Sequence, residues 1–399
     1  MTKSNKLLSI SMVFIIILLF SAAIWLYCAY STSAQTGSSY ILIEASSGRI
    51  LRSDNKDMRL EEASTTKVMT ALVTLENADL DRIVTVPDEA VGIEGSSIYL
   101  KYDEKISVRT LLYGLMLRSG NDAAQCLAVT VGGSEEKFVE MMNDKAAELG
   151  LENTHFVNAH GLHAEGHYTS AYDLAMITRE AFLNDEFVKI VSSKSYKSGD
   201  PSESEAHVFY NKNKLLTTFD GANGVKTGYT TSSGKCFVGA ARRDGMQLIS
   251  VALNRGDMWE ISKSLLQYGF DNYEVVRLAR SDEPYALFET GGETVELRLA
   301  ENASYPVAKG SETEIEYRFE PLEEYPDGIA AGETVGNILF FENKRLIFTE
   351  KVVTVNTIKN KRAIDSLRGF TDEGVISDWK GLTNISPLAA SRRGEAPTS

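Results

Sequence analysis

The sequence predicts an α/β chain of the α+β kind, with helices packed on an antiparallel sheet, followed by a small β-sandwich domain. Three observations lead there. Tyr40-Ile41-Leu42-Ile43-Glu44 reads as a strand that returns at Ile50-Leu51 across the turn Ser46-Ser47-Gly48. Helical patterns then follow as far as Phe182, before two β-rich runs, Lys235 to Ala241 and Met246 to Leu253, flank Arg242-Arg243-Asp244-Gly245 as a hairpin. Past Phe270 the pattern changes to strict alternation. Strands that open and close a run of helices suggest one sheet covered by a helical layer.

Each element has a local reason. A helical pattern starts at Glu61-Glu62-Ala63-Ser64 and runs through Leu75, with Ser64 expected in its first turn. Arg82 to Val86 is a short extended piece, and Ser107 caps a helix through Leu117. Arg118-Ser119-Gly120-Asn121-Asp122 interrupts two apolar helical runs and reads as a loop or helix start. Ser134 caps Glu135 to Leu149, with acidic residues in the first turn and Gly150 after the end. Ser170 and Asp173 form a capping box before Leu174 to Phe182, and Asp257 to Tyr268 reads as a final helix. Beyond it, Val295, Leu297 and Leu299 alternate with Glu296 and Arg298, and Ile315, Tyr317 and Phe319 with Glu316 and Arg318. Gly291-Gly292, Pro326-Asp327-Gly328 and Ala331-Gly332 punctuate these runs. The expected organisation is a leader over 1–34, a main domain over 36–270, a β-sandwich over 271–355 and a polar tail over 356–399. No sustained apolar stripe is visible in that tail from Lys361 on.

A chain of 399 residues accommodates two domains, and 43% hydrophobic against 24% charged residues supports a full core. The net charge of −14, with no basic stripe, argues against a nucleic-acid partner. Lys3 and Lys6 precede an uncharged apolar run from Leu7 to Tyr30, which directs the rest of the chain out of the cytoplasm. Cleavage after Ala34 or retention as a membrane anchor are both open. Either way the body is expected outside the cytoplasm, membrane-associated or in the wall space. Cys126 and Cys236 fall in apolar patterns and read as buried free thiols, with a disulfide left open.

The chemistry is concentrated in three short stretches. Ser64 and Lys67 are three residues apart, which on a helix puts them on one face about 5–6 Å apart between Cβ atoms. At that distance a neutral lysine can take the proton of a serine nucleophile. Ser119 and Asn121 follow in the second stretch, and Lys226-Thr227-Gly228 in the third. Taken singly, each has an ordinary reading: a cap, a buried polar contact, a turn.

Together and in this order, serine-x-x-lysine, serine-x-asparagine and lysine-threonine-glycine form the signature of penicillin-binding proteins and class A β-lactamases. With "SSIYLKYDEKISVRTLLYGLMLRSGNDAA", "HFVNAHGLH" and "GANGVKTGYTTSSGKCFVGAARRDGMQLISVAL", the chain resembles the low-molecular-weight penicillin-binding proteins, serine-type D-alanyl-D-alanine carboxypeptidases. The resemblance is strong from Ser39 to Phe270 and weaker to about Val355. It implies the β-lactamase/transpeptidase-like fold, with the site between sheet edge and helices. It also implies removal of the terminal D-alanine from peptidoglycan stem peptides ending in D-Ala-D-Ala, with β-lactams as covalent inhibitors and no cofactor. In that scheme Ser64 is the nucleophile, Lys67 the base and Ser119 a proton relay to the leaving amine. Asn121 binds the substrate amide, Lys226 and Thr227 hold the terminal carboxylate, and Gly228 lets substrate lie along the strand. The backbone N–H groups of Ser64 and Tyr229 form the oxyanion hole. A β-lactamase and a non-catalytic β-lactam sensor or wall-binding scaffold are the alternatives. His160, His163 and His167 form a cluster that could suggest zinc, but no helix-borne HExxH accompanies it, and no metal is expected.

Overall fold

The computed structural model describes residues 37–376 apart from 291, 312, 313, 369, 371 and 372. The apolar run Leu7–Tyr30 and the end of the chain lie outside the described residues. No helix among those described is long and apolar enough to cross a membrane. The chain divides into two compact units. Among the described residues, the first comprises 37–43, 50–242 and 248–266; the second comprises 44–49, 243–247 and 267–376.

In the first unit the strands are β1 (Ser39–Glu44), β2 (Ile50–Asp54), β3 (Ile83–Thr85), β4 (Lys105–Ser107), β5 (Ser195–Lys197), β6 (Val208–Tyr210), β7 (Ala222–Thr230), β8 (Gly234–Arg243) and β9 (Met246–Leu253). Five of them form one sheet in the order β2-β1-β9-β8-β7, which leaves β7, the strand of Lys226 to Gly228, on an edge. Its register against β8 sets Lys226 opposite Val238 and Gly228 opposite Cys236. Between β8 and β9, Asp244 and Gly245 both take positive φ, the backbone a tight hairpin requires. The helix Lys67–Asn77 is buried from Lys67 through Thr74, and Asn121–Gly132 from Asn121 through Ala128. Helices with so little polar surface belong to the interior. Cys126 and Cys236 are buried and unpaired, and burial pushes both thiols up to about 12.

Helix starts follow the capping residues. Ser107, Ser134 and Ser170 each accept a hydrogen bond from the backbone N–H three residues on. Two details differ from expectation. The Ser107 helix is regular only to Tyr113 and continues as a π-helical turn, Gly114–Arg118, that delivers Ser119 in a left-handed conformation. The carboxylate of Asp173, beside the Ser170 hydroxyl, also reaches beyond the cap and accepts from Asn153 N and Thr154 Oγ1.

The second unit contains β10 (Tyr273–Ala279), β11 (Ala286–Thr290), β12 (Glu293–Leu299), β13 (Ala303–Ala308), β14 (Ile315–Pro321), β15 (Thr334–Glu342), β16 (Arg345–Thr354) and β17 (Glu373–Ile376). They form a six-stranded sheet, β11-β12-β16-β15-β14-β17, and the pair β10-β13. Val295, Leu297, Leu299, Ile315 and Phe319 face its core, as their alternation predicts. Its limits differ from those expected. The boundary at 270 falls inside the helix Met258–Asn272, and the polar tail assigned to 356–399 contributes structure. Ile358 pairs with Ile329, the helix Lys361–Arg368 buries Ala363, Ile364 and Leu367, and β17 pairs with β14. A two-turn helix buries only three apolar positions, too few to register as a stripe in a charged stretch.

Candidate active site

Ser64 lies not in the α-helix but in a 3₁₀ turn, Ala63–Thr66, immediately before it. The hydroxyls of Thr65 and Thr66 bond back to the carbonyls of Glu62 (2.6 Å) and Ala63 (2.8 Å). Such local bonds compete with the helical ladder and tighten the turn. Ala63 adopts φ +50°, a left-handed conformation costly for a residue with a Cβ. Two glycines admit neighbours to this turn. A Cβ on Gly161, itself at φ +83°, would lie 2.0 Å from the Ala63 carbonyl oxygen; one on Gly228 would lie 3.1 Å from Ser64 N. Strand β7 thus passes directly beside Ser64 because residue 228 has no side chain.

Lys67 is fully buried, and its Nζ meets three oxygens: Ser64 Oγ at 2.9 Å, Asn121 Oδ1 at 2.7 Å and the His160 carbonyl at 2.5 Å. Burial, followed by the charge of Lys226, holds this amine well below the ordinary lysine range, against a smaller opposing pull from Asp122. A neutral amine that donates to Asn121 Oδ1 and the His160 carbonyl has its lone pair left for the third oxygen, the Ser64 hydroxyl. That is the arrangement of a general base on a serine nucleophile.

Ser119, also left-handed at φ +66°, places its Oγ 3.0 Å from Lys226 Nζ, which further donates to the Thr227 carbonyl at 2.8 Å. Burial lowers Lys226 to about 7, with Lys212 adding to the shift. The structure therefore joins Ser119, expected as a proton relay to the leaving amine, to Lys226. Asn121 uses both ends of its amide, Oδ1 on Lys67 and Nδ2 on the Glu94 carbonyl at 2.5 Å. Thr227 is half-buried, Gly228 buried, and the Tyr229 ring exposed.

Several supporting residues escaped the sequence reading. The buried carboxylate of Asp122 accepts from the backbone N–H groups of Ile98 and Leu100 and from Ser97 Oγ, which fixes the loop before β4 against the second motif. Lys212 Nζ reaches Ser96 Oγ on that loop at 3.4 Å. Asp122 follows Asn121 directly, so an acidic residue inside an apolar helix start was the available signal. The histidines have separate partners. His160 Nδ1 accepts from Leu162 N, His163 Nδ1 lies 2.8 Å from Glu61, and His167 is buried beside Glu62 and Thr66. Among the described residues no three His, Cys, Asp or Glu side chains are grouped to hold a metal.

A serine hydrogen-bonded to a buried lysine whose amine is held well below its ordinary range, beside an edge strand carrying a second lysine, fits a serine acyl-transfer enzyme. The chain matches the D-alanyl-D-alanine carboxypeptidase family over residues 28–256 and the penicillin-binding protein 5 C-terminal domain over 273–360. It is 32% identical over 316 residues to D-alanyl-D-alanine carboxypeptidase DacF of Bacillus subtilis, covering 71% of this chain and 81% of that one. To DacC of Escherichia coli it is 31% identical over 343 residues, covering 80% and 84%. Among solved structures, penicillin-binding protein 5 of Haemophilus influenzae superposes with a TM-score of 0.65 at 29% identity, over 80% of this chain and 96% of that one. The chain belongs to the D-alanyl-D-alanine carboxypeptidase family, the low-molecular-weight penicillin-binding proteins.

Proposed function

We propose that this serine-type carboxypeptidase removes the terminal D-alanine from stem pentapeptides through an acyl-enzyme on Ser64, and that penicillin acylates the same oxygen. The observation that carries the residue assignment is the aim of the Lys67 amine at Ser64 Oγ, 2.9 Å away. Substrate adds along the edge strand β7, its terminal carboxylate held by Lys226 and Thr227. Ser119, bonded to Lys226, passes a proton toward the departing amine, and Asn121 faces the substrate amide from the Lys67 side. The oxyanion is held by the backbone N–H groups of Ser64 and Tyr229.

Incubating the soluble protein with a D-Ala-D-Ala pentapeptide and weighing the products by mass spectrometry tests this directly. The expected result is loss of one alanine, together with a stable penicilloyl adduct of one per chain on Ser64. Rapid multiple turnover of penicillin would instead make the chain a β-lactamase, and an adduct without alanine release a sensor. We further place the body outside the cytoplasm, linked to the membrane or released from it, on the strength of Lys3, Lys6 and the run Leu7–Tyr30. Recovery of the full chain in the cytosolic fraction of its host would refute that placement.

Lys226 yields a pH signature. It must be charged to hold a carboxylate, and in the free enzyme it loses its proton as pH rises through about 7. The profile of kcat/KM should therefore fall on the alkaline side near that pH. In kcat the fall should lie higher, because a bound carboxylate favours the ammonium. Lys226→Ala should cost about 2–5 kcal/mol in kcat/KM, and a C-terminally amidated peptide should show neither effect. Equal losses for acid and amide would mean that Lys226 acts through Lys67 rather than on the carboxylate.

A further inference from the structure

We propose that the buried pair Glu62–His167 is the positioning device of this active site, tying the loop that carries the His160 carbonyl to the turn that carries Ser64. Both side chains are buried, Glu62 at 0% and His167 at 3% exposure. Val157 N donates to His167 Nδ1 at 3.0 Å, so the ring proton sits on Nε2. Nε2 in turn lies 2.9 Å from Glu62 Oε1 and 2.9 Å from Thr66 Oγ1, and Thr66 Oγ1 reaches the same carboxylate oxygen at 3.0 Å. Glu62 Oε2 has no hydrogen-bond partner among the described residues.

The position of this pair gives it a role. Lys67 Nζ is aimed by oxygens from different parts of the chain, and two of them, Ser64 Oγ and the His160 carbonyl, lie on segments with no backbone continuity. The 157–167 loop is fixed internally by Asn158 Oδ1, which accepts from His160 N and Gly161 N, and to the Lys67 helix by the Thr70 hydroxyl on the Ala159 carbonyl at 2.6 Å. Glu62 is the residue before strained Ala63, so its bond to His167 locks the loop's far end against the nucleophile's own turn. A buried carboxylate with one oxygen unmatched costs stability where an apolar side chain would not. Its presence one residue from a left-handed Ala63 marks a device for geometry rather than for packing. Neither residue touches substrate; both act through Lys67 and Ser64, and so as positioning residues.

The inference rests on the carboxypeptidase reading, and the test separates the two. His167→Gln keeps a donor near the Nε2 position and retains the tie to Glu62; His167→Asn keeps only an acceptor near Nδ1 and loses it. Acylation by a fluorescent penicillin and D-alanine release are measured for both, with KM and melting temperature. The Gln variant should acylate within about fivefold of wild type and the Asn variant about thirtyfold or more slower, with peptide KM unchanged, since small misplacements of a catalytic group act on kcat. Equal rates in the two variants, or a fall in melting temperature without a fall in kcat, would overturn the role. Thr66→Val, isosteric, removes one hydroxyl that serves this network and the Ala63 carbonyl, and should lower kcat threefold to tenfold. An unchanged kcat there overturns the proposal even where the His167 variants do not fold. A wild-type protein that neither releases D-alanine nor binds penicillin covalently would bring down the functional reading, and this one with it.

Discussion

Ser64→Ala is expected to abolish penicillin labelling and D-alanine release together, taking the adduct from one per chain to none. The substitution removes a single half-exposed oxygen whose contact is with Lys67 Nζ. The amine keeps its other two acceptors, Asn121 Oδ1 and the His160 carbonyl, so no buried polar group is stranded. The melting temperature should consequently change little, and noncovalent binding of a stem peptide should survive through Lys226 and β7. Intact-mass spectrometry after incubation with penicillin, followed by peptide mapping, reads the outcome. Covalent label that persists on another residue would refute the assignment of Ser64.

How far this was legible from the sequence depends on distance along the chain. Ser64 and Lys67 can be paired because three residues bring them together on any helical turn, and the structure places them 2.9 Å apart. That β7 would lie against the Ser64 turn follows from no local pattern, yet Gly228 fits there only because it lacks a side chain. The hydrogen bond of Ser119 to Lys226 depends on a π-helical turn that hydrophobic periodicity does not reveal. The loop of three histidines looked like possible metal ligands, because residue type is visible and orientation is not. In the fold the loop gives Lys67 a backbone carbonyl, at His160, which any residue could supply, while the His167 ring turns to Glu62 and Thr66. The second unit behaved likewise. Its alternating strands were readable, while the helix Lys361–Arg368 owes its place to three buried side chains in a charged segment.

Lys67 is the second residue whose loss should be nearly total, and the choice of substitution decides what is learned. Alanine removes base and charge at once, and should slow acylation by about 10³–10⁴-fold, the upper part of the range for general-base assistance. Arginine separates the two. A guanidinium keeps the positive charge and several donors but stays protonated in proteins, so it offers Ser64 no lone pair. If Lys67 serves as base, Lys67→Arg should be about as inactive as Lys67→Ala, although any electrostatic attraction for the substrate remains. The native environment favours this outcome, since full burial and the neighbouring Lys226 disfavour the ammonium, and two oxygens hold the neutral amine's N–H groups. The acid limb of the kcat/KM profile should also reflect protonation of Lys67, and vanish from whatever residual activity the Lys67→Ala protein shows. Stopped-flow acylation with a chromogenic cephalosporin across pH would measure both. Acylation by the arginine variant within tenfold of wild type would mean that Lys67 acts as a fixed charge and that the base lies elsewhere.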